Sequence, residues 1–73
     1  MVDARQPEVI AGTTCPVCLL EGAFQEPGGY DICHRCGWED DESQRRHPDM
    51  AGGANHMSLG EARRAWREGR EVD

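Results

Sequence analysis

The sequence predicts an α+β fold, and three observations carry that prediction. Two Cys-x2-Cys pairs, Cys15/Cys18 and Cys33/Cys36, are separated by fourteen residues. Short apolar runs between them flank a QEPGG turn, and a capped amphipathic stretch follows from Ser58. Together these describe a small zinc-ribbon-like domain: two knuckles on a β-hairpin, then a C-terminal amphipathic helix.

Each element has its own justification. Residues 1–13 are polar and without periodicity and contain Pro7 and Gly12, so they read as a flexible N-terminal tail, with Val9 and Ile10 able to add an edge strand. Residues 14–69 form the zinc-binding domain. CPVC is its first knuckle, residues 19–24 a short strand, QEPGG the turn, and residues 30–32 the returning strand that enters CHRC. Residues 39–56, rich in acids, Gly, Pro and Asn, read as a long loop with one helical turn. Ser58 and Glu61 fit a capping box, in which each side chain bonds the other residue's backbone N–H. Leu59, Ala62 and Trp66 then share one helix face, Arg64 and Glu68 form an i,i+4 pair, and Gly69 supplies the stop. Residues 70–73 are a short C-terminal tail.

Composition sets the physical need. A chain of 73 residues buries too little apolar surface to be secure alone, and a metal closes the gap. The N-terminus has no apolar leader, and no stretch approaches the ~20 apolar residues of a membrane span. The expected compartment is therefore the cytosol, where reduced Cys-x2-Cys pairs hold metal rather than disulfides. The formal charge is −6, and all eight basic residues are arginine. Such a surface opposes non-specific binding to nucleic acid or anionic lipid.

Cys15, Cys18, Cys33 and Cys36 are the expected metal ligands. Each knuckle curls two sulfurs toward one point, and backbone N–H groups of its tight turn donate to the thiolates. Gly37 directly after Cys36 suits the left-handed residue such a turn needs. A closed four-thiolate shell is the structural pattern for one Zn2+, with a rubredoxin-type iron site as the alternative. CPVC as a thiol-redox motif fits poorly, since no βαβ pattern surrounds it.

Taken in order, the words CPVC, QEPGGYDIC, CGWEDD, HPDMAGGANHMSL and GEARRAW resemble the cysteine-rich CPCC family, small bacterial zinc-ribbon-like proteins. The resemblance spans roughly residues 14–68 and implies no activity. Two positions depart from it. Val17 stands where the family name calls for a third cysteine, and Leu19 stands where Gly tends to follow the knuckle, which makes the two knuckles inequivalent.

The remaining candidates are weighed against that centre. The acidic run Glu39, Asp40, Asp41 and Glu42 reads as a solvated surface or the first turn of a helix. It is also the expected docking patch for a basic protein partner, or a clasp for Arg63, Arg64 and Arg67. His34, His47 and His56 lack any nucleophile or open metal position, so the chain is expected not to be an enzyme. Gly52, Gly53 and Asn55 could build an anion nest, but a tight packing connection is favoured because no Lys or Arg stands in the loop. Trp38 and Trp66 are expected in the core, packed together, each indole N–H finding a carbonyl. The expected function is a structural-zinc, non-catalytic protein-interaction module, with a nucleic-acid-binding ribbon and an iron electron carrier as alternatives.

Overall fold

The computed structural model describes residues 11–73; the edge strand expected at Val9 and Ile10 lies outside them. Two helices form in this region, α1 over Glu42–Arg46 and α2 over Leu59–Arg67. Among the described residues there is no β-strand, only one antiparallel bridge between Ile32 and Glu39. The expected β-hairpin between the knuckles is therefore corrected.

The reason lies in the backbone. Leu19 and Gly22 adopt φ values of 65° and 73°, and Tyr30 one of 66°, so neither run can hold the pleat of a strand. Their hydrogen bonds go elsewhere. Phe24 donates to the Thr13 carbonyl at 3.0 Å, while Tyr30 donates to Asp40 and Asp40 to Asp31, at 3.1 and 2.8 Å. The chain entering the second knuckle thus pairs with the chain leaving it, not with the first knuckle.

The helices are capped as their sequences dictate. Asp41 caps α1, its carboxylate accepting from the Ser43 and Gln44 N–H groups. The capping box of α2 is present in full: Ser58 Oγ accepts from Glu61 N at 3.1 Å, and Glu61 accepts from Ser58 N at 2.9 Å. At its other end Gly69 is left-handed, with Arg70 N donating to Ala65 O and Gly69 N to Trp66 O. That Schellman arrangement satisfies carbonyls the helix itself leaves unpaired. Glu68 turns away from Arg64 and pairs with Arg70.

The core gathers the cysteines with Val17, Phe24, Trp38, Leu59 and Ala62. The buried face of α2 is Leu59, Ala62 and Ala65; Trp66 is 37 % exposed, which corrects its expected place beside Trp38. Trp38 is fully buried, yet among the described residues its Nε1–H has no hydrogen-bond partner, against the expectation of a carbonyl. The ends of the described region are tied in. Arg45 donates to the carbonyls of Gly12 and Thr14, and its guanidinium lies 5.9 Å from the Phe24 ring centroid. Met57 N donates to Asp73 O at 2.7 Å, and Val72 packs on the core.

Candidate metal centre

The two knuckles are built to one backbone plan. In the first, Leu19 N donates to Cys15 O at 2.8 Å and Cys15 N to Leu20 O at 3.1 Å. In the second, Gly37 N donates to Cys33 O at 2.9 Å and Cys33 N to Trp38 O at 2.8 Å. The fifth residue of each is left-handed, Leu19 at φ 65° and Gly37 at φ 91°. The inequivalence expected from Leu19 is thus one of side chain, not of geometry.

This plan points N–H groups at sulfur. Val17 N donates to Cys15 Sγ at 3.4 Å, Arg35 N to Cys33 Sγ at 3.4 Å, and Trp38 N to Cys36 Sγ at 3.5 Å. Arg35 also spans the two knuckles, its guanidinium donating to Cys18 O at 2.9 Å. All four Sγ atoms lie within 4.8 Å of one another. Cys15 and Cys36 are 3.5 Å apart and Cys18 and Cys33 3.6 Å. A disulfide would require about 2.05 Å, and all four cysteines are free. A tetrahedral ion with metal–sulfur bonds of about 2.3 Å needs sulfurs about 3.8 Å apart, so the donor set fits one such ion.

Electrostatics give the same answer. The hydrogen bond shared with the Cys36 thiol holds Cys15 below the ordinary thiol range against the opposing effect of burial. The same bond, with burial, pushes Cys36 well above the ordinary thiol range, and burial raises Cys33. One thiolate forms easily; the next must ionise beside it in a buried site. A divalent cation removes that opposition and favours the all-thiolate state.

The structure sorts the other candidates. Among the described residues, the only group of three or more His, Cys, Asp or Glu able to hold a metal is Cys15, Cys18, Cys33 and Cys36. His34 and His47 are exposed, and His56 is an exposed partner of Asp73 at 3.0 Å. The acidic run divides. Asp40 is fully buried, accepting from Gly28 N at 2.7 Å and pairing with Arg45 at 3.2 Å. Asp41 is buried and accepts from Ala54 N at 2.9 Å besides capping α1. Those three N–H bonds, Ala54's foremost, hold its carboxyl below the usual range. Glu42 is exposed and pairs with Arg46. None of these acids clasps α2; Arg63 instead donates to Pro16 O at 2.8 Å, pinning the helix to the first knuckle.

The glycine loop holds an anion after all, and the anion is Asp41. A Cβ on Gly53 would stand 2.7 Å from Asp41 Oδ2 and 2.8 Å from Gln44 Cδ, so only Gly allows the approach. The tight packing connection favoured for this loop is what forms. Gln44, fully buried, bonds the Met50, Asn55 and Met57 carbonyls and accepts from Asn55 N and Nδ2. Sequence reasoning missed Gln44, because an amide in a polar helical turn carries no sign of burial.

A family model described as "Cysteine-rich CPCC" matches residues 13–69. The chain belongs to that family. No curated protein matches the chain. The CPCC match begins just ahead of the first knuckle and ends at Gly69, the residue that closes α2. It thus covers both knuckles, the Asp41 loop and the capped helix. No helix among the described residues is long and apolar enough to cross a membrane.

Proposed function

We propose that Cys15, Cys18, Cys33 and Cys36 hold one structural Zn2+, and that the chain acts as a non-catalytic protein-interaction module. The observation that carries the metal reading is the convergence of four free sulfurs within 4.8 Å. Zinc is favoured because a closed four-thiolate shell with backbone N–H support is its structural pattern. Four protein ligands complete a tetrahedron and leave no position for substrate, which is why the reading is non-catalytic. The working compartment in this reading is the reducing cytosol, where such thiols stay available to metal. The surface assigned to interaction is the groove beside the first knuckle rather than the acidic run, two of whose carboxylates are turned inward.

The test is to measure the metal content of the purified protein and to follow circular dichroism as a strong chelator is added. One zinc per chain is expected, with loss of helical signal on chelation and recovery on adding zinc. A chelated protein that keeps its full signal would overturn structural zinc, and red, iron-loaded protein would replace zinc with iron.

A further inference from the structure

The first knuckle and α2 border an open groove of about 430 Å3, lined by residues 16–19, Cys18 of the metal centre among them, and by Arg63, Trp66 and Arg67. Leu19 is 58 % exposed and Trp66 37 %. A domain with so small a core thus leaves two large apolar side chains at one surface concavity. Arg63 and Arg67, one turn apart on α2, line the same groove. Among the described residues Arg45, Arg46 and Arg70 are paired with acids, whereas Arg63 and Arg67, like Arg35 and Arg64, are not. The chain carries fourteen acidic residues against eight arginines, so carboxylates are plentiful elsewhere. Arg63 uses its Nε on Pro16 O; its terminal nitrogens and the whole Arg67 head form no hydrogen bond among the described residues. Among the described residues the groove is an apolar slot edged by two arginines that have no acidic partner.

We propose that this groove docks a peptide segment of a partner protein in which Asp or Glu stands beside a large apolar side chain. The apolar side chain fills the slot against Val17, Leu19 and Trp66. The carboxylate accepts from Arg67 and from the terminal nitrogens of Arg63, a geometry arginine offers in fork form. Trp and Arg are also the side chains most often found carrying interface energy. A nucleic acid would likewise engage Arg and Trp, but the net charge of −6 repels a polyanion, and the slot offers a single aromatic ring rather than a stacking platform. The inference rests on the interaction-module reading and gives it a partner chemistry.

The experiment selects a random-peptide phage library on the metal-loaded full chain, with the Trp66→Ala/Arg67→Glu variant as the counter-target. Both side chains are exposed at the groove, so the variant is expected to fold, and its circular dichroism checks that. Peptides combining an acid with a neighbouring large apolar residue are expected. A selected peptide, titrated by heteronuclear NMR, should shift the Trp66 indole and the amides of residues 17–19. The Arg67→Glu change should weaken it roughly tenfold or more. Absence of groove-dependent enrichment, or enrichment of basic peptides, overturns the proposal. So does tighter binding of oligo(dT) at these residues, or concentration-dependent shifts showing a second copy of the chain in the slot. Metal content measured on the same sample separates the outcomes: zinc-loaded, folded protein that selects no peptide sinks the groove and spares the metal centre.

Discussion

Leu19 stands in the left-handed region at φ 65° with its side chain 58 % exposed. For a non-glycine residue that conformation costs about 1–2 kcal/mol. Glycine removes the strain but loses about 0.5–1 kcal/mol through the entropy of the unfolded chain. Leu19→Gly is therefore expected to stabilise the metal-loaded protein by up to about 1 kcal/mol in a urea titration while weakening peptide binding in the groove. A destabilised variant would mean that the Leu19 side chain contributes more to the fold than its exposure implies. The sequence showed that Leu19 replaces the expected glycine, and from that alone the knuckles looked unlike. Their hydrogen bonds show that the backbone takes the same path with either residue. What residue identity cannot reveal is whether a strained conformation is avoided or tolerated, because that depends on the turn around it.

At the scale of elements, α1 is fixed by its cap and by the loop that wraps it. Asp41 accepts from Ser43, Gln44 and Ala54, and its carboxyl is held below the usual range. A depressed folded-state pKa adds stability that is present above the unfolded value of about 3.9 and is lost as pH falls through the folded one. Asp41→Asn keeps a capping oxygen but sets an amide N–H against Ala54 N–H or Gly53. It is expected to cost about 1–2 kcal/mol near neutral pH. Denaturant titration in excess zinc at neutral pH reads this cost, and a variant as stable as the parent protein would remove the bond from Ala54 N–H from the explanation. The helices were the legible elements. The Ser58/Glu61 box and Gly69 delimit α2 in sequence as in structure, because caps are local chemistry. The strands were not legible, because residues 19–24 and 30–32 have strand-like composition but backbone angles set by the knuckles and turns beside them.

At the scale of the whole molecule, the cysteine spacing was enough to expect four sulfurs at one point, and the structure brings them within 4.8 Å of one another. The acidic run was read as surface, and half of it proved to be interior. Asp40 and Asp41 are buried on partners, Arg45, Gly28 and Ala54, up to thirteen residues away, which no local pattern announces. The centre itself is uneven toward solvent. Three of its cysteines are buried and Cys36 is partly buried. At equilibrium the four ligands act as one set, but the path by which an ion leaves or a reagent enters is not shared equally. A brief pulse of N-ethylmaleimide on zinc-loaded protein should label Cys36 first, with the other three following together once the shell has opened. Simultaneous early labelling of all four, or Cys15 first, would contradict this. On this expectation metal exchange would begin at the second knuckle, where Cys36 is the least buried of the four cysteines.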